Sequence, residues 1–254
     1  MAGPGGGGVR VAERLAMQVP PPRPFVWHQN WLQLLFLHWS VPVEVLRPLI
    51  PPGLTIDTYA GQAWLGIVPF RMTNVRPRWI PYFRSLSAFP ELNVRTYVHL
   101  DGRSPGVWFF SLDATNPLAV EAARAAFRLP YFHCRIGLRR DGLEVAYHAR
   151  RHDRRSPAAH LDLRYRIGPA LPPAPPDSLA FFLTERYCLY AEPRPGALSR
   201  LRVHHRPWPL HAASLTDLDT NLAEADGLAP LAGVPLLHYA PRVDVRVWNL
   251  EQLR

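Results

Sequence analysis

Glu91-Leu92-Asn93-Val94-Arg95-Thr96-Tyr97-Val98-His99 is the stretch on which the fold of this chain turns. Successive side chains of a strand point to opposite faces. One face therefore carries Glu91, Asn93, Arg95, Tyr97 and His99, and the other carries Leu92, Val94, Thr96 and Val98. Two environments fit this pattern. One is an ordinary half-buried strand with its polar face in water. The other is a strand whose polar face lines the inside of a curled sheet. There, Asn93, Arg95 and Tyr97 would offer convergent donors to an anionic or carbonyl ligand, with Glu91 as proton acceptor. These nine residues alone leave both environments open.

Working outward, short β-branched or aromatic runs bounded by turn residues predict further strands. They cover 63–72, 107–113, 143–150, 161–167, 186–191, 201–205 and 243–248. Asp101-Gly102 and Arg140-Asp141-Gly142 are hairpin signals. Helices are predicted over 41–50, where Ser40 is a candidate cap and Pro51-Pro52-Gly53 a stop. A second runs over 117–127, capped by Asn116, and a third starts at Asp177 or Ser178 and ends near Thr184. A fourth is expected at 216–225. Many strands and few helices predict a mainly β (α+β) fold, an antiparallel sheet curled into a barrel or cone around an internal pocket. Residues 1–24, with glycines at one end and Pro20 to Pro22 at the other, are expected to be weakly ordered. Residues 25–254 then form a single domain.

All 29 residues counted as Lys+Arg are arginines; the sequence contains no lysine. That excludes Schiff-base catalysis, a pyridoxal-phosphate anchor and a P-loop. The accompanying wealth of Ala, Pro and Gly points to a compositional bias. The formal charge of +9 would also suit a polyanion, but the arginines are scattered. Their densest cluster, Arg150, Arg151, Arg154 and Arg155, reads as a solvated loop. Cys134 and Cys188 are expected to be buried reduced thiols of a cytoplasmic protein. No apolar run suits a membrane helix, and the N-terminal stretch lacks the apolar region of a secretion signal. The expected partner is a small organic acid or carbonyl ligand, with neither nucleic acid nor membrane. A homo-oligomer is compatible with the sequence.

Other chemistry-bearing stretches are weaker. In Thr184-Glu185-Arg186-Tyr187-Cys188-Leu189-Tyr190, the guanidinium of Arg186 near tyrosines, including Tyr190, could take a carboxylate. It could equally pair with Glu185 at a helix-to-strand junction. His204 and His205 are adjacent, so on a strand they face apart and share no ion easily; no metal or other cofactor is expected. His28 and His38 sit among Trp27, Trp31 and Trp39 and suit an aromatic cluster. No nucleophile elbow and no dinucleotide-binding glycine motif occurs. Asp57 and Asp113 are isolated carboxylates that would bond backbone groups at turns.

Six stretches carry a resemblance: HWSVPVEVLRPLIPPGLTIDTYAGQAWLGIVPF (38–70), FPELNVRTYV (89–98), GVWFFSLDA (106–114), ARAAFRLPYF (123–132), LTERYCLY (183–190) and HRPWPL (205–210). Through them the chain resembles the YqjF-like family of uncharacterised conserved bacterial proteins, related to acetoacetate decarboxylase. The resemblance implies the decarboxylase-like barrel or cone with an enclosed pocket. It also implies that Glu91 corresponds to an acidic pocket residue. In the decarboxylase a lysine pair follows the proline matched by Pro130; here those positions are Tyr131 and Phe132. Imine decarboxylation is thereby excluded. Tyr131 becomes a candidate hydrogen-bond donor in the same pocket. The candidate site is thus Glu91 as base, Arg95 as anion or oxyanion partner and Tyr131 as donor, with Asn93, Tyr97, Arg186 and Tyr190 as further ligand contacts. Acid-base chemistry of an enolisation, hydration or lyase type would need no cofactor. A binding or sensing module that kept the fold without the chemistry is the rival expectation.

Overall fold

Strand β4 (Phe89–Leu100) is buried on both faces. A computed structural model describes residues 8–81, 88–194 and 196–253. In it, β4 lies between β3 (Ala63–Pro77) and β5 (Arg103–Ala114), both antiparallel to it. β3 pairs in turn with β1 (Trp27–Val41). Apolar clusters cover this strip on both sides. Leu35, Leu37, Ile67, Leu92 and Val94 belong to one; Leu34, Phe36, Val68, Phe70 and Phe89 belong to the other. Double burial explains why Trp31 to Trp39 shows a near-continuous apolar run in place of alternation.

The pairing continues from β5 through β6 (Tyr131–Asp141), β7 (Glu144–Arg151), β8 (Ala159–Ala170), β11 (His211–Thr220) and β12 (Leu236–Val247) back to β1. The sheet curls back on itself without forming a regular closed barrel. β5 meets β6 over three parallel pairs, and β11 meets β12 only at His211–Tyr239. β5 also forks: Val107 and Trp108 pair with β9 (Cys188–Ala191), which leads through β10 (Ser199–His204) to β12. Gly106 permits this fork, because a Cβ there would lie 2.7 Å from the Cys188 carbonyl oxygen. Two-residue strands β2 (Thr55–Ile56) and β13 (Glu251–Gln252) finish the edges.

Helices are few. α3 (Pro117–Phe127) begins as expected, with the Asn116 side chain accepting from the Leu118 and Ala119 amides. α4 (Leu179–Thr184) is capped by Ser178. The helix expected over 41–50 shrinks to α2 (Val43–Leu46) and a 3-10 turn, Arg47–Leu49. Its N-cap position is Pro42 and not Ser40. The helix expected over 216–225 is mostly β11, with only α5 (Leu222–Ala225) helical. A register shift between Leu215 and Asp217 breaks the alternation there and spaces the apolar residues as on a helix.

The segment expected to be weakly ordered carries structure where it is described. α1 (Val11–Ala16) docks through Arg14, whose guanidinium makes a bidentate pair with Asp57 at 2.7 and 2.8 Å. Residues 1–7, including Gly5 to Gly7, lie outside the described residues.

Candidate active site

The alternation of β4 places Glu91, Asn93 and Arg95 along one wall of a cavity of about 360 Å³. β3 adds Val68, Phe70 and Met72, and the first residue of β6 adds Tyr131. α3 covers the cavity with Ala119, Ala122, Ala123 and Ala126. The helix is held elsewhere: Val120 is buried, Arg124 donates to the Tyr131 carbonyl at 2.8 Å, and Glu121 pairs with Arg155. Its alanine face is therefore free to look over the cavity.

Glu91 is 2% exposed. Its Oε2 accepts from the Tyr131 hydroxyl at 3.0 Å, and its backbone carbonyl accepts from Tyr147 at 2.9 Å. Among the described residues it has no ion-pair partner. Burial pushes its carboxyl up to about 8, against the opposing effect of the Tyr131 hydrogen bond and with added repulsion from Asp113. Tyr131 is held well above the ordinary tyrosine value by burial and by the neighbouring Glu91. At neutral pH both groups are proton-bearing.

Arg95 is 9% exposed, and its guanidinium lies 5.5 Å from the Phe36 ring centroid and 5.7 Å from that of Tyr97. Its Nε has no hydrogen-bond partner, and among the described residues no carboxylate pairs with it. Asn93 Oδ1, equally buried, is also unpartnered. An unpaired buried cation beside an unpaired amide oxygen costs free energy unless a ligand completes them.

The remaining predicted contacts lie away from this cavity. Tyr97 is fully buried beyond Arg95, with its hydroxyl 2.6 Å from His38 Nε2. Burial and the nearby Arg95 hold His38 well below its ordinary value. Arg186 stacks over Tyr97 and Phe182 at 4.6 and 4.3 Å and binds Asp57 at 2.6 Å. Its carboxylate partner is therefore Asp57 and not Glu185. Glu185 instead accepts from the Tyr187 hydroxyl and the Trp208 amide. Tyr190 donates to the Ser104 carbonyl at 2.8 Å and lines a separate cleft with Glu121, Arg124 and Phe132. Tyr131 and Phe132 thus part company: one faces the cavity, and the other lies under the Arg151 guanidinium at 4.9 Å.

The two isolated aspartates bind arginines and not turn amides. Asp57 joins Arg14 to Arg186. Asp113 takes Arg151 bidentately at 2.7 and 2.8 Å, and Arg151 also reaches Asp226 at 2.8 Å. The arginine cluster is only in part a solvated loop: Arg154 and Arg155 are exposed in a turn, whereas Arg150 and Arg151 end β7. Arg151 is buried, Arg150 pairs with Asp162, and Arg155 pairs with Asp153 and Glu121. Cys134 and Cys188 are free and buried, and burial raises both thiols to about 12. Among the described residues no helix is long and apolar enough to cross a membrane.

Sequence reasoning missed the apolar walls: Trp31, Phe70, Phe89, Phe127, Trp208 and the α3 alanines. The available signal was the alanine face of α3, too small in side-chain volume to fill a core.

Comparison with known proteins follows the same lines. The model of the family DUF2071, described as an uncharacterized conserved protein, matches residues 28–244. The uncharacterized protein YqjF of Bacillus subtilis (strain 168) is 41% identical over 228 residues, covering 90% of this chain and 93% of that protein. Among solved structures, the enduracididine biosynthesis enzyme MppR complexed with pyruvate aligns with a TM-score of 0.61 at 15% identity, over 91% of both chains. Acetoacetate decarboxylase of Legionella pneumophila aligns at 0.60 and 12%, over 100% of this chain and 98% of that one. An acetoacetate decarboxylase-like enzyme of Sphingomonas wittichii RW1 aligns at 0.59 and 11%, over 91% and 94%. At these identities the likeness is one of fold.

Proposed function

The chain belongs to the DUF2071 family of uncharacterised conserved proteins, and from that membership and the cavity chemistry we propose that it binds a small organic acid or carbonyl compound and moves a proton on it. The observation that carries this reading is Arg95. It is a buried guanidinium without a carboxylate partner among the described residues, in the same cavity as the neutral Glu91–Tyr131 pair. A ligand carboxylate or enolate oxygen on Arg95 would supply the missing counter-charge, and Asn93 Oδ1 would accept from a ligand hydroxyl. MppR, of the same fold, has been captured with pyruvate, a carboxylate next to a carbonyl. An imine route is closed, since the sequence contains no lysine.

The proton logic reverses the expectation that Glu91 is a base. A carboxyl raised to about 8 is mostly protonated at neutral pH, so Glu91 starts as an acid. Tyr131 donates to Oε2, which leaves the acid proton on Oε1. From there it can pass to the ligand's carbonyl oxygen, leaving the negative charge on Glu91, while Arg95 holds the ligand's carboxylate. The resulting carboxylate then takes a proton back from the carbon acid, which closes an enolisation cycle without a cofactor.

Nuclear magnetic resonance of α-proton exchange in D₂O tests this with pyruvate and acetoacetate as probes. The wild type is expected to exchange them faster than buffer. Glu91→Gln is expected to abolish that exchange, and Tyr131→Phe to slow it by about 100-fold. Arg95→Gln is expected to weaken carboxylate binding by roughly 10- to 100-fold. Binding that depends on Arg95 without any exchange would leave a non-catalytic binding module. Absence of both would refute the proposal.

A further inference from the structure

The cavity is larger and drier than its polar groups require. Its volume of about 360 Å³ would hold about a dozen water-sized groups at roughly 30 Å³ each. A pyruvate-sized acid fills about half of that. The charged groups Glu91 and Arg95 and the amide of Asn93 come from one strand, Tyr131 stands beside them, and Gln29 of β1 adds a further amide whose oxygen accepts from the Trp31 indole. The facing α3 presents only apolar groups, the methyls of Ala119, Ala122, Ala123 and Ala126 between Leu118 and Phe127. Across from it lie Trp31, Phe70 and Val247, and Trp27 meets Phe127 edge-on at 6.2 Å at the rim. Apolar walls of this kind give water too few partners to stay ordered. The row of small residues would by itself be only a gap. Arg95 and Asn93, each at least nine-tenths buried and unpartnered at Nε and Oδ1, make it the tail half of a site that has a polar head.

We propose that the ligand is a carboxylic acid carrying an apolar chain or ring of about six to eight carbons, its carboxylate at Arg95 and its apolar part under the alanine face of α3. This rests on the acid-binding reading above and adds to it a substrate class. Each methylene buried against those walls should tighten binding by about fourfold. A four-carbon keto acid would leave the outer half of the cavity unfilled.

Isothermal titration calorimetry with acetate, pyruvate, octanoate, 4-phenylbutanoate and octan-1-ol tests it on the full chain. Octanoate and 4-phenylbutanoate are expected to bind at least about 100-fold tighter than acetate, and tighter than octan-1-ol. Ala123→Phe, which fills the space under α3, is expected to compress the octanoate-to-pyruvate affinity ratio by at least about tenfold. Ala122→Leu, at the exposed edge of the helix, is the milder substitution should the first fail to fold. Short acids binding as tightly as long ones, or an affinity ratio unmoved by both variants, overturns the apolar-tail class and leaves acid binding standing. Octan-1-ol binding as tightly as octanoate, with octanoate indifferent to Arg95→Gln, overturns the acid reading itself and this inference with it.

Discussion

Glu91→Gln is expected to stabilise the folded protein, and to do so mainly above pH 5. Gln is nearly isosteric, can accept the Tyr131 hydrogen bond, and carries no titrating proton. In the wild type the carboxyl sits near 4.5 in the unfolded chain and at about 8 in the folded one, because burial opposes ionisation. Between those values the folded protein keeps a proton that the unfolded chain has released. Stability therefore falls as pH rises, by about 1.4 kcal/mol per pH unit. That amounts to roughly 3 kcal/mol by pH 7 and about 4 to 5 kcal/mol beyond pH 8, a large share of the roughly 5–15 kcal/mol typical of a domain. Asp113, raised to about 6, and every other titrating group are present in both proteins, so the difference between them isolates Glu91. Urea denaturation at intervals from pH 5 to 8.5 gives that difference directly. It should be under about 1 kcal/mol at pH 5 and reach roughly 3 kcal/mol in favour of the variant at pH 7. A difference that stays flat across this range would mean that Glu91 ionises freely in the fold, and the reasoning about a neutral acid in the cavity would fail.

Two further outcomes follow from groups outside the cavity. Asp57→Asn leaves Arg14 and Arg186 buried around a neutral amide; a loss of roughly 3–5 kcal/mol is expected, with faster proteolysis on the N-terminal side of residue 25 as α1 detaches. Gly106→Ala drives a methyl toward the Cys188 carbonyl at 2.7 Å. A cost of about 1–3 kcal/mol should appear as a fall of several degrees in Tm, and an unchanged Tm would show that the β5–β9 fork yields easily.

The polar face of β4 was legible because strand alternation is a local property. Once its face is known to be inward, Glu91, Asn93 and Arg95 fall in line without further information. The same alternation carries on to Tyr97, but the cavity stops at Arg95 because His38, from β1, approaches Tyr97 there. That contact spans 59 positions of chain, and no local pattern encodes it. The partner of Arg186 was hidden for the same reason, since Asp57 lies 129 positions away while Glu185 is its chain neighbour. β1 escaped notice because a strand buried on both faces has no polar rhythm to betray it. The stretch 216–225 reads as helix although 216–220 belong to β11, because a bulge near Thr216 accommodates in a strand the three-residue spacing of Leu215 and Leu218. Arg14 illustrates the opposite difficulty: glycine and proline runs flank a short helix whose single guanidinium closes a buried ion pair.

The opposite orientations of Tyr131 and Phe132 limit how this scaffold could be retrofitted for amine chemistry. An engineer seeking a nucleophile has one door. Tyr131→Lys would project its amine beside Glu91, into an apolar chamber that also holds the Arg95 cation, conditions that favour the uncharged, reactive form. Phe132→Lys would bring its amine beneath Arg151 on the other side of the strand, walled off from the first. A tandem lysine pair inserted here would not act as a pair, because adjacent side chains of a strand point to opposite faces in any register. In that sense β6 offers the cavity a single side chain, that of Tyr131.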